Sequence, residues 1–164
     1  REGHRLRSTL LNNIAGAAFF AGDLDAAEGA LRENLDLQEA HRPPGHWRIG
    51  SAAGALAMFY EENGRSAEAI PLLDRQLAIY ATALGEDHIW TSGAGVRLAT
   101  ARLCAGETSR RDELSRALRP IEVARSAGEA IPGDVMRALT HAADMLDAAD
   151  EPMAASEVRR AMDS

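Results

Sequence analysis

One spacing constrains this chain more than any other. Gly22, Gly64 and Gly106 stand 42 residues apart, and His4, His46 and His88 keep the same interval. Ile14, Leu56 and Leu98 hold the register, as do Ala15, Ala57 and Ala99. A fixed period of this length marks a stacked helical array, in which each unit buries its apolar face only against its neighbours. The 164 residues hold about four such periods. The reading is one continuous domain, 1–164, with units over about 4–45, 46–87, 88–131 and 132–164.

Within a unit the signals are those of two helices and a turn. Leu10, Leu11, Ile14, Ala15 and Ala18 recur at helical spacing and predict a helix from about Ser8 to Ala21, with residues 1–7 as a lead-in loop. Gly22 ends it, because glycine takes the left-handed conformation without steric cost. Asp25 and Glu28 read as a capping box opening the next helix, which Pro43-Pro44 stops. The second unit repeats the plan as Arg48 to Glu62, a turn at Asn63-Gly64, then Ser66 to Leu84 with Pro71 early in the helix. The third runs from Thr91 to Ala105, turns at Gly106 and continues behind a cap of Ser109 with Asp112. There Arg111 and Ser115 replace the apolar residues of the earlier units, and Pro120 predicts a kink or shift. The fourth covers Asp134 to about Ala149, turns at Asp150-Glu151-Pro152 and ends near Met162. Alanine dominates an apolar content of 46%, while aromatics make up only 4%, which suits closely packed helices.

These residues resemble tetratricopeptide repeats of the 42-residue, kinesin-light-chain-like kind. The resemblance is carried by Ala15, Ala57, Ala99 and Ala143 at the helix crossing. The turn residues Gly22, Gly64, Gly106 and Asp150 and the linker Leu84-Gly-Glu-Asp-His88 add to it. It implies a right-handed superhelix of about four antiparallel helix pairs, whose first helices line a concave groove for partner peptides. Carried over by position, Asn12, Asn13, Met58, Glu62, Arg97, Thr100, Arg137 and His141 are the candidate groove residues. The implied function is a non-catalytic protein–protein interaction module. The alternatives are a regulatory tail of a larger bacterial signalling enzyme, such as a serine/threonine kinase, and a structural or weakly self-associating spacer. The chaperone-binding branch, which clamps a terminal carboxylate with cationic side chains, is excluded. Asn12, Gly16, Ala55, Val96 and Thr100 stand at those places.

The charge balance narrows the partners. With 18 Lys+Arg against 25 Asp+Glu the chain carries a net charge of −7 and no basic stripe, so neither nucleic acid nor an anionic membrane surface is expected. No apolar run approaches the length of a spanning helix. A lone cysteine, Cys104, fits a reducing cytoplasm and reads as a small apolar filler. The chain opens at Arg1 without an initiator Met or a signal-peptide pattern and is expected to be a piece of a larger protein. No catalytic set, cofactor or metal site is expected. Equivalent points of successive units stand about 8–10 Å apart, so His4, His46 and His88 cannot converge on one ion. His141 with Asp144 reads as a surface pair, and Trp47 and Trp90 as packing at the links.

Overall fold

The structure is a computed structural model that describes residues 2–107 and 111–163, the side chains of residues 2, 4 and 5 aside. Among the described residues it contains eight helices and no strand. They are α1 (Glu2–Ala21), α2 (Leu24–His41), α3 (Trp47–Glu62), α4 (Ser66–Leu84), α5 (Ile89–Cys104), α6 (Arg111–Ser126), α7 (Gly133–Ala148) and α8 (Pro152–Asp163). The chain divides into two compact units, Arg1–Ile79 and Tyr80–Ser164. In the first, α1 pairs with α2 and α3 packs on α2. In the second, α5 pairs with α6 and α7 with α8, and α5 also packs on α7.

The turns follow the chemistry of the period. Gly22, Gly64 and Gly106 have φ of 78°, 70° and 89°, and Asp150 takes the same left-handed conformation at 60°. Aspartate tolerates this region better than most residues, which is why the fourth unit can turn there without glycine. Pro152 then opens α8 at the first helical position, where its missing N–H is not needed.

Three local expectations are corrected. Residues 2–7 are helical, so α1 begins at Glu2 and not near Ser8, and His4 lies within it. The cap of α2 is Asp23, whose carboxylate accepts from Ala26 N at 3.1 Å. Glu28 of the expected capping box instead binds Arg65 at 2.6 Å and Arg32 at 2.7 Å. α5 starts at Ile89, two residues early. Helix α6 runs through Pro120 to Ser126, and of the expected cap Ser109 lies outside the described residues.

Two of the periodic histidines are helix caps. His46 Nδ1 accepts from Arg48 N, and His88 Nδ1 from Trp90 N, both at 3.2 Å. Each satisfies a backbone donor that the first helical turn leaves open. Each also lies beside a tryptophan, with ring centroids 5.9 Å apart for His46 and Trp47 and 5.5 Å for His88 and Trp90.

One apolar core lies in the second unit. Val96, Leu103, Leu114, Leu118, Ile121, Leu139, Leu146 and Val158 are almost fully covered there. In the first unit Leu11, Ala15 and Ala30 form one cluster, and Ile49, Leu56, Phe59 and Leu73 are buried as well. A polar lock joins α2 to α3. The Tyr60 hydroxyl donates to Glu28 at 2.9 Å and accepts from Arg32 at 2.8 Å, while the Arg65 guanidinium lies 4.5 Å from the Tyr60 ring.

Candidate functional site

A polar cleft of about 90 Å³ opens where α1, α2 and α3 meet. Its walls are Ser8 and Asn12 from α1, Asn34 and Gln38 from α2, and Trp47, Arg48, Ser51, Ala52 and Ala55 from α3. Asn34 and Gln38 are buried, 4% and 5% exposed, on a helix whose other inward residues are apolar. Groups so covered need hydrogen-bond partners, and here they supply one another's.

The order of that network is fixed from one end. The Arg42 guanidinium can only donate, and its Nε donates to Gln38 Oε1 at 2.7 Å. The Gln38 amide nitrogen therefore faces the other way, donating to Ser8 Oγ at 2.9 Å and Asn34 Oδ1 at 3.3 Å. Asn34 Nδ2 in turn donates to Asn12 Oδ1 at 2.8 Å. The chain of donors ends with the Asn12 amide N–H groups at the cleft. Beside them stand the Ser51 hydroxyl and the Arg48 guanidinium, which lies 4.6 Å from the Trp47 ring. Each amide oxygen of Gln38, Asn34 and Asn12 accepts one bond within the network, and the Asn12 N–H groups, the Ser51 hydroxyl and the Arg48 guanidinium supply donors at the cleft. Such a surface suits carbonyl oxygens or a carboxylate.

The eight candidate groove residues divide by burial. Asn12, Asn13, Met58, Glu62 and Arg137 are not buried, and His141 is half-buried. Arg97 is 8% exposed and Thr100 1%. Helix α5 is covered by α6 on one side and α7 on another, so every residue from Thr91 to Ala101 is buried. Neither Arg97 nor Thr100 is thus presented to a partner in this structure. Of the eight only Asn12 reaches the cleft. Asn34, Gln38 and Arg48 were not among the candidates. A signal was present for the first two, since an Asn and a Gln four residues apart interrupt the apolar ridge of α2.

The register shows why the cleft belongs to the first unit. Asn12 and Asn34 correspond to Gly54 and Gln76 one period on, and to Val96 and Leu118 two periods on. The same helix–helix position is a hydrogen-bonded amide pair, then a glycine against a glutamine, then an apolar contact.

Among the described residues no group of three His, Cys, Asp or Glu side chains could hold a metal ion. No described helix is long and apolar enough to cross a membrane. Cys104 is a half-buried thiol outside any disulfide, its Sγ–H donating to Met145 O at 3.6 Å.

Comparison with known proteins supports the helix-pair reading. Residues 50–89, spanning α3 and α4, match the tetratricopeptide repeat family model. The fold is shared with BtubC (BKLC) from P. vanneervenii at a TM-score of 0.66 and 16% identity, over 96% of this chain and 65% of that one. It is shared also with the nearly identical TPR-like repeats of a candidate kinesin light chain from Podosopora anserina. There the TM-score is 0.67 at 22% identity, over 94% of this chain and 72% of that one. A single-substitution form of the same repeats gives 0.68 at 21% identity, over 96% and 73%. The chain spans just under two thirds of the length of BtubC. Comparison with curated proteins gives no match. Residues 50–89 thus match one tetratricopeptide repeat, within an all-α fold shared with kinesin-light-chain-like repeats.

Proposed function

We propose that this chain is a non-catalytic protein-interaction module that takes an extended segment of a partner protein. The polar cleft of α1, α2 and α3 is where that segment is read. One observation carries this reading: an internally satisfied amide network that leaves donors, with the Arg48 guanidinium beside them, at one opening. Backbone carbonyls fit the Asn12 amide and the Ser51 hydroxyl. An aspartate or glutamate of the partner fits Arg48, which can hold both carboxylate oxygens. Met58, exposed on α3, is a candidate for an apolar contact outside the cleft.

The test is selection from a random displayed peptide library on the immobilised 164-residue chain, followed by titration of the selected peptides. Acidic extended sequences are expected, and Arg48→Glu with Asn12→Ala should weaken them about tenfold or more. That is the scale of one charge-assisted hydrogen bond lost from a binding site. An unchanged melting curve shows that the variant is folded. Peptides that bind wild type and variant equally, or a library with no enrichment, would sink the reading.

A further inference from the structure

The amide network of the cleft begins at a residue that does not line it. Arg42, the C-cap residue of α2, is half-buried and stands outside the walls of the opening. Its Nε nevertheless donates to Gln38 Oε1 at 2.7 Å, one turn back along the helix. A side-chain amide is nearly symmetric in shape. A half-turn about its last bond exchanges the carbonyl oxygen for the NH2 group, so it takes whichever direction its neighbours impose. Ser8 imposes none, because a hydroxyl both donates and accepts. A guanidinium has no acceptor and leaves no choice.

The consequence is carried across two helices. Gln38 Nε2 donates to Asn34 Oδ1 at 3.3 Å and Asn34 Nδ2 to Asn12 Oδ1 at 2.8 Å, which turns the Asn12 NH2 to the cleft. Were the amides all reversed, both amide–amide contacts would survive with donor and acceptor exchanged. Asn12 would then show the cleft a carbonyl oxygen, and a partner's carboxylate or backbone carbonyl would meet an acceptor. One residue outside the cleft thus fixes which half of a hydrogen bond the cleft offers.

The repeat does not call for these amides on packing grounds. One period on, Ser8, Asn12, Asn34, Gln38 and Arg42 correspond to Gly50, Gly54, Gln76, Tyr80 and Leu84. Two periods on, the place of Asn12 and Asn34 is filled by Val96 and Leu118 of one apolar core. The directed relay belongs to the first unit alone.

We infer that Arg42 is a positioning residue for the cleft. Through Gln38 and Asn34 it holds Asn12 with its N–H groups outward, and so selects acceptor groups of a partner. This rests on the cleft being the binding surface proposed above, but the first test needs no partner. Nuclear magnetic resonance of the isotopically labelled chain reads the direction of the relay from its side-chain NH2 groups. In the wild type the Gln38 NH2 protons should give cross-peaks to Ser8, and those of Asn12 should exchange freely with water. Arg42→Glu replaces a donor by an acceptor. The Gln38 cross-peaks should move from Ser8 to the introduced side chain, and the Asn12 NH2 should become protected. Arg42→Lys, which still only donates, should keep the wild-type pattern, and Arg42→Met, which imposes almost no direction, should show both. A wild-type pattern in Arg42→Glu or Arg42→Met would overturn the inference, as would a reversal in Arg42→Lys.

The second test titrates an acidic peptide selected from the displayed library on the wild type. Arg42→Lys should bind it as the wild type does, and Arg42→Glu about tenfold more weakly. In an Asn12→Ala background Arg42→Glu should add little, because its path to the partner is gone. The same loss in that background would show the charge of Arg42 acting directly and would overturn the positioning role. A relay that reverses as expected, in a chain that binds no library peptide, would support the hold of Arg42 on Asn12 and overturn the cleft as a binding surface.

Discussion

His46 shows what one side chain can contribute to a repeat. Its imidazole caps α3 by accepting from Arg48 N, and that nitrogen accepts only when it carries no proton. Burial first, then the neighbouring charges of Arg42 and Arg48, hold its pKa below the ordinary 6.5. The folded value is below the unfolded one, so protons bind the unfolded chain more readily. The stabilisation is present above the ordinary histidine pKa and is lost as pH falls through it towards the folded value. Thermal melts should therefore show the midpoint dropping from about pH 7 to about pH 5, and His46→Ser, a cap that does not titrate there, should flatten that part of the profile. An identical slope in the variant would remove His46 as the cause. Glu28 acts in a separate window. The hydrogen bond from Arg65 lowers its pKa from 4.5 despite some desolvation, so its contribution fades only at more acidic pH.

Between elements, a tight fit lies where Gly54 of α3 meets Gln76 of α4. A methyl group added at Gly54 would collide with the side-chain amide of Gln76, which is itself only 8% exposed. Gln76 Oε1 has no hydrogen-bond partner among the described residues. Gly54→Ala is expected to cost about 1–2 kcal/mol, the scale of overpacking a buried contact. Gln76→Ala in the same chain should return most of that loss, and denaturant unfolding of the double-mutant cycle checks it. A neutral Gly54→Ala would mean that the amide swings aside freely. The pair also shows what the sequence concealed. The register aligned Gly54 with Asn12 and Gln76 with Asn34, but only the packed helices reveal that each pair is a contact. Helix α1 concealed more. Its apolar residues fit one helical pattern, yet Leu11 and Ala15 face inward while Leu10 and Ile14 face out. Periodicity marks an apolar stripe and does not say which side of it meets a neighbour.

At the scale of the whole molecule, the chain divides into units of similar size, Arg1–Ile79 and Tyr80–Ser164. In arrays of this kind stability is a sum of local terms and nearest-neighbour terms. Leu73→Ala and Leu139→Ala both remove a fully buried side chain, one in each unit, and each should cost about 2–5 kcal/mol. Amide hydrogen exchange should speed up chiefly in the unit that carries the lesion. Equal acceleration throughout both units from either substitution would show a single cooperative block instead. The sequence by itself determined the period, the two helices of each repeat and the left-handed turns at Gly22, Gly64, Gly106 and Asp150. Those are set by residues close together in the chain, through φ preference, capping and helical spacing. Only the tertiary structure decided that Arg97 and Thr100 are enclosed, that Asn34 and Gln38 arm the cleft, and that one face of α1 is left bare. Burial is fixed by helices distant in sequence, and no local pattern encodes which of two apolar stripes a neighbour will cover.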